Sequence, residues 1–170
     1  MVQFVSSDTN VWMDFFAIRQ MRLPFRLPYI YIMNADAIAD ELISPPDIGE
    51  RLILYGLVAV EITTEEFLLA QEYEARYRRL SKYDRTALAI AKARGIKLLT
   101  GDKALRRAAE SECVETIGTI WILDQLLEQE KITKDEYILC LQGLAENNGG
   151  IVRLPIAEIN LRLERFCSGQ

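Results

Sequence analysis

Histidine is absent from this 170-residue chain. That removes imidazole-activated serine and cysteine nucleophiles, together with the imidazole-rich sites that zinc and copper favour. Any catalysis must run on carboxylates, hydroxyls, lysine or a hard metal ion. Cysteine is scarce as well: Cys113, Cys140 and Cys167 are odd in number, far apart and without a C-x-x-C spacing, so they read as reduced thiols rather than a disulfide framework or zinc knuckle. No stretch approaches the roughly 18 uninterrupted apolar residues of a membrane span. The opening MVQFVSSDTN lacks a basic segment followed by an apolar one, so no signal peptide is expected and the chain is read as cytoplasmic. There is no excess of basic charge; the formal net charge of -5 argues against a general nucleic-acid coat but leaves room for a local basic patch.

What is present is half hydrophobic and enough for one domain with a sizeable core. Short apolar runs alternate with helical patterns. Gln3 to Ser7, YIYIM, LVAVEI and IKLLT read as strands, with a fifth short one at Val114 to Ile117. Between them, helices are expected with Val11, Phe15 and Ile18 inward, then over Ala35 to Ile43, Ile48 to Tyr55, Thr64 to Arg79 with Phe67 and Leu68 inward, KYDRTALAIAKAR, and Lys103 to Ser111. Helices over Thr119 to Glu130 and Thr133 to Glu146 complete a main body spanning residues 1–146. This alternation predicts an α/β domain, a parallel sheet of four to five strands covered on both faces. NNGG, Asn147 to Gly150, reads as a linker, and residues 147–170 as linker and tail adding a strand and a short helix.

In such sheets ligands bind beyond the carboxyl ends of the strands. Asp8 and Asp102 both take that position, although each also suits a helix N-cap. Asp84 shares a helical face with Ala87, Leu88 and Ala91, which turns a carboxylate inward; Ser81 to Asp84 also fits a capping box. Glu41 follows Ile38 on its helix and can turn the same way, with Asp40 as the alternative. Asp36 and Asp40 form a separate face directed to solvent. Four carboxylates without histidine make an all-oxygen set suited to magnesium or manganese.

These residues resemble, in order, the motifs of the PIN-domain ribonucleases, including the VapC-type toxins of toxin–antitoxin pairs. SSDTNVWMDF is similar to the first motif, with Asp8 and Asn10; ADAIADELI to the second, with Glu41; SKYDRTALAIAKARGIKLLTGDKALRRAAE to the third and fourth, with Asp84, Thr100 and Asp102. The resemblance spans about Met1 to Glu130; the proline-bearing MRLPFRLP and the segment beyond Asn147 depart from it. It implies a three-layer α/β/α fold and Mg²⁺- or Mn²⁺-dependent RNA cleavage. Asp8, Asp84 and Asp102 would be metal ligands, Glu41 an outer ligand or base, and Asn10 and Thr100 the residues that orient them. A small antitoxin is the implied partner, and a homodimer is a further expectation.

An acidic site must still attract a polyanion. Arg78 and Arg79 beside one acidic motif, and Lys103 and Arg106 beside the other, are the candidate phosphate contacts, against the reading of a solvated helix face. Trp12 and Trp121 read as core rather than base platforms. Two other functions stay open: a PIN-fold binding or regulatory module without turnover, and an aspartyl-phosphate phosphatase, which DTNVW disfavours by lacking a second aspartate two residues on.

Overall fold

The computed structural model describes residues 1–167. The expected alternation is realised as β1 (Gln3–Ser7), α1 (Thr9–Ala17), β2 (Tyr29–Asn34), α2 (Ala35–Glu41), α3 (Ile48–Tyr55), β3 (Val58–Val60), α4 (Thr64–Arg76), α5 (Lys82–Arg94), β4 (Lys97–Leu99), α6 (Lys103–Ser111), β5 (Thr116–Ile117), α7 (Thr119–Glu128), α8 (Lys134–Glu146) and α9 (Ile156–Cys167). MRLPFRLP becomes a 3-10 turn over Leu23–Arg26, where proline presets the backbone at the turn's start. The five strands pair in parallel in the order β3-β2-β1-β4-β5. From β1 the chain steps outward to β3, then returns to the other side of β1 as β4. The crevice beyond the carboxyl ends of β1 and β4 is therefore the topological switch point.

Side chains alternate across the strands. On β4, Leu98 enters one core and Leu99 the other. Val5 of β1 joins the larger core, with Trp12, Leu123, Leu141 and Ile159. Ser6 faces the opposite way, and its hydroxyl donates to the Ala87 carbonyl at 2.9 Å. A side chain this small lets the alanine-rich α5 settle closely on the sheet, with Ala87, Leu88 and Ala91 buried. Tyr73 of α4 and Leu105 of α6 complete that second core. The result is a three-layer α/β/α sandwich. Gly95, in the left-handed region at φ 62, ends α5 and turns the chain into β4.

Three local expectations are corrected. α4 stops at Arg76, and Phe67 and Leu68 are exposed, 49% and 54% respectively. The helix leans on α5, so its buried stripe runs through Glu66 and Tyr73, with Leu69 and Ala70 partly covered. Glu66 tolerates burial because it closes a capping box with Thr63 and receives Arg94 of α5 at 2.6 Å. The fifth strand begins only at Thr116, because Cys113 adopts φ 58 and the Val114 N–H closes α6 onto the Ala109 carbonyl at 2.8 Å. Beyond α8, the strand expected in the tail reduces to one bridge between Asn148 and Val152, while the helix is twelve residues long.

Asn147 to Gly150 form a tight turn: Gly149, at φ 90, donates to the Val152 carbonyl at 2.9 Å, and the Asn148 amide donates to the Leu154 carbonyl at 2.9 Å. Val152 and Ile159 are fully buried in the larger core. The Arg162 guanidinium grips Asp124 of α7 at 2.8 and 3.0 Å, a forked geometry that locks α9 against α7. Cys140 is buried and Cys113 exposed, both as free thiols, whereas the Cys167 thiol lies outside the described side chains. Among the described residues no helix is long and apolar enough to cross a membrane.

Candidate active site

The four acidic residues approach the switch point from four elements. Asp8 stands between β1 and α1 as an N-cap, its Oδ1 accepting the Thr9 N–H at 2.7 Å. Its Oδ2 accepts the Thr100 hydroxyl, just past β4, at 2.9 Å. Thr100, fully buried, also accepts the Asp102 N–H on Oγ1 at 3.1 Å, so one hydroxyl fixes the Asp8 carboxylate and the Asp102 backbone. Asp102 caps α6 by accepting the Leu105 N–H at 2.8 Å. Asp84 closes its capping box, accepting the Ser81 N–H at 2.8 Å and donating its own N–H to Ser81 Oγ at 3.1 Å. Glu41, the last residue of α2, accepts the Thr9 hydroxyl. The capping readings and the shared-site reading hold together, since each cap engages only part of a carboxylate's accepting capacity.

Burial is the main cause that pushes the Asp8 carboxyl up to about 7; Asp84 and, less, Glu41 add to it, while Thr100 and Thr9 pull it back. Asp84 is raised by burial, with its Ser81 bonds opposing and Asp102 adding. Glu41 is raised by burial, with Thr9 opposing and Asp84 and Asp40 adding. Asp8 thus feels the charge of Asp84 and Glu41, Glu41 that of Asp84, and Asp84 that of Asp102. Arg85, the cation that opposes the rise at Asp84, is directed to the Leu80 carbonyl at 2.8 Å and to Glu74 at 3.5 Å. Such a cluster must take up protons or a cation.

A hard divalent ion fits the donor type and the excess of negative charge. Among the described residues, no three side chains of the His, Cys, Asp and Glu types are gathered as a ready-made metal cage. Asp84 and Asp102 each keep an oxygen on a helix end. The fit therefore lies in chemistry and charge, with Asp8, Asp84 and Asp102 as the available donors.

Asn10 is not drawn into the cluster: it is exposed on the first turn of α1, and the hydroxyl that reaches Glu41 belongs to its neighbour Thr9. Asp40 and Asp36 are exposed, with the Tyr83 hydroxyl on Asp40. Arg78 and Arg79 are exposed between α4 and α5, and Lys103 is exposed at the start of α6. Arg106 is half-buried, and its Nε donates to the Thr100 carbonyl at 3.0 Å. Trp12 is core; Trp121 is half-buried, tilted against Tyr29 with ring centroids 6.0 Å apart.

Sequence reasoning missed Thr9, whose hydroxyl serves Glu41, and Asp14, a buried carboxyl pushed up to about 6 by burial, whose Oδ2 accepts the Thr119 hydroxyl at 2.6 Å. The signal for Asp14 was there: Val11, Asp14, Phe15 and Ile18 form the i, i+3, i+4, i+7 stripe that singles out Asp84.

A parallel α/β sandwich with one buried carboxylate, Asp8, and three partly buried ones, Glu41, Asp84 and Asp102, at its switch point defines an α/β domain with an acidic centre. The chain belongs to the PIN-domain family: the family model DUF3368, described as PIN domain, matches residues 4–160. Domains of this family are generally nucleases that use divalent metal ions. The match runs past Asn147 and into α9. No curated protein and no solved structure matches the chain significantly.

Proposed function

We propose that the protein is a Mg²⁺- or Mn²⁺-dependent ribonuclease that hydrolyses RNA phosphodiester bonds. The observation that supports this reading is the set of acidic side chains that Thr9 and Thr100 tie together at the switch point, Glu41 on the Thr9 hydroxyl and Asp8 on the Thr100 hydroxyl, with Asp102 following Thr100. Asp8, Asp84 and Asp102 would hold the ion, which when bound would polarise a phosphoryl oxygen and acidify a water. Thr100 fixes the orientation of Asp8 through its hydroxyl and holds the Asp102 backbone. Glu41 carries no helix cap; steadied by Thr9, it is the carboxylate best placed to accept a proton from an attacking water.

The test is a manganese titration with a fluorogenic RNA, for the wild type and for Asp84→Asn. Cleavage by the variant should fall at least about 100-fold, with its melting temperature kept, since asparagine can still accept the Ser81 N–H. Undiminished cleavage by the variant would remove Asp84 from the catalytic set, and no cleavage by the wild type with any divalent ion would turn the reading towards a PIN-fold binding module.

The finer reading, that the chain is the toxin of a toxin–antitoxin pair, is supported by the resemblance of its motifs to VapC-type sequences. The partner would be a small protein whose guanidinium takes the cation's place among the carboxylates. Purification from the native source should recover such a protein in stable complex, with cleavage returning on its removal. An active, partner-free chain from that source would reject the toxin reading while leaving the nuclease intact.

A further inference from the structure

Next to the acidic centre lies a cavity of about 340 Å³ that the carboxylates do not line. It opens between the carboxyl ends of β4 and β5, α7 and the beginning of α9. Gly101 and Lys103, on either side of Asp102, form its inner edge, Arg106 and Trp121 contribute walls, and Arg153 closes it from the tail. Four cations line it, Lys103, Arg106, Arg153 and Arg162, against two acids, Asp124 and Glu158. Both acids are bound by Arg162, at 2.8 Å and 2.7 Å. The excess positive charge therefore belongs to Lys103, Arg106 and Arg153.

Arg106 is the informative member. Its guanidinium passes close over Gly118: a Cβ built there would stand 2.3 Å from Nη2, so a larger residue would displace the arginine from this course. Its Nε is fixed on the Thr100 carbonyl, and Thr100 holds Asp8 through its hydroxyl. Among the described residues no carboxylate pairs with Arg106 to offset its partial burial, which draws its pKa down. A half-buried guanidinium oriented by Thr100 and without a carboxylate partner among the described residues has donors suited to an anion.

We propose that this cavity is a nucleotide subsite, binding one phosphate of an RNA strand on Arg106, Arg153 and Lys103 and laying the attached base against Trp121. The RNA part of this assignment rests on the ribonuclease reading. The volume falls at the lower end of small-molecule sites and suits one nucleotide rather than a drug-sized ligand or a protein segment. A wall that is indole on one side and cationic on another matches a base joined to a phosphate, since stacking accepts any base while guanidinium groups hold the strand. The tail, including Arg153 and α9, thus joins the site as a wall of the substrate channel.

The test needs no cleavage. Full-length protein in EDTA is titrated with adenosine 5′-monophosphate and, separately, with inorganic phosphate, following the indole N–H resonances of Trp12 and Trp121; Trp121→Phe assigns the latter. The nucleotide should shift Trp121 and leave Trp12 unmoved, bind more tightly than phosphate, and lose about tenfold in affinity for each charge removed in Lys103→Gln and Arg153→Gln. No Trp121 shift up to about millimolar nucleotide, equal affinity for bare phosphate, or wild-type affinity in the double variant would overturn the subsite. Tighter binding of an Asp- and Glu-rich peptide than of the nucleotide would overturn it too, in favour of a protein-docking face. Nucleotide binding without RNA cleavage at any divalent ion would refute the ribonuclease reading and leave the subsite standing; cleavage without nucleotide binding would do the reverse.

Discussion

Replacing Asp8 by Asn is expected to abolish metal-dependent cleavage and to raise the melting temperature of the metal-free protein at pH 8. Asp8 is buried, and its carboxyl is pushed from 3.8 up to about 7. In the folded protein it therefore binds a proton more tightly than in the unfolded chain. Its favourable contribution is fully present below about pH 4 and is lost as the pH rises through about 7. At pH 8 the folded protein carries a buried, repelled carboxylate that the unfolded chain leaves in water. Each tenfold difference in proton affinity corresponds to about 1.4 kcal/mol, which bounds the cost at several kcal/mol. Asparagine removes the charge and keeps the cap on Thr9, but its amide must donate to Thr100 and displaces the hydroxyl proton that Asp8 accepts. Allowing about 1–2 kcal/mol for that hydroxyl, a net gain of about 1–3 kcal/mol remains.

Asp14 supplies the control. It is buried away from the acidic cluster, is pushed up to about 6 and contacts Thr119 instead. Asp14→Asn should shift stability with the same sign through a window about one pH unit lower, with no change in the manganese response. Manganese at a hundred times its dissociation constant should stabilise the wild type by about 2.7 kcal/mol and Asp8→Asn far less. Melting curves at pH 4 and pH 8, with EDTA and with manganese, separate the terms. Wild type and Asp8→Asn that melt alike at pH 8 without metal would remove the charge crowding from which the site was built.

The parts of this arrangement that could be read from the chain are those that act locally. An aspartate straight after an apolar strand, at Asp8 and Asp102, and one on the buried stripe of α5, at Asp84, are patterns within about ten residues, and periodicity exposes them. The same locality explains why caps and metal donors could not be separated beforehand: the residues are both. What stayed hidden depends on pairs far apart in sequence. Thr9 meets Glu41 across 32 residues and Thr100 meets Asp8 across 92, and no local pattern announces either. Phe67 and Leu68 are expected inward because they are an apolar pair on a helix, whereas α4 spends its buried face on α5 through Glu66 and Tyr73. The tail had no periodic strand to declare it, and its place follows from one ion pair, Arg162 with Asp124, and two buried residues.

The largest stability loss is expected from Trp12→Ala, and it tests how the departure at MRLPFRLP supports the site. Trp12 is fully buried on α1, stacked on Phe25 of the 3-10 turn with ring centroids 5.3 Å apart and planes within 9°, and meets Tyr31 of β2 edge-on at 5.3 Å. Its indole N–H donates to Ser7 Oγ at 3.1 Å, and the Ser7 hydroxyl in turn donates to the Ile32 carbonyl at 3.3 Å. Ser7 immediately precedes Asp8, so the aromatic cluster clamps the end of β1 from the face opposite α5. Truncation to alanine should cost about 3–5 kcal/mol in transfer and cavity terms, a fall of roughly 6–20 °C for a domain of this size. Trp12→Phe keeps most of the packing and removes the indole donor; Ser7 retains Ile32 as acceptor, so the loss should be only about 1 kcal/mol. If the clamp secures Asp8, manganese affinity in the folded Trp12→Ala protein should drop as well, while Trp12→Phe stays near wild type. A Trp12→Ala protein that melts within a few degrees of wild type would show that the proline-bearing segment merely lies on the core, and that the strand end carrying Asp8 is held by the sheet alone.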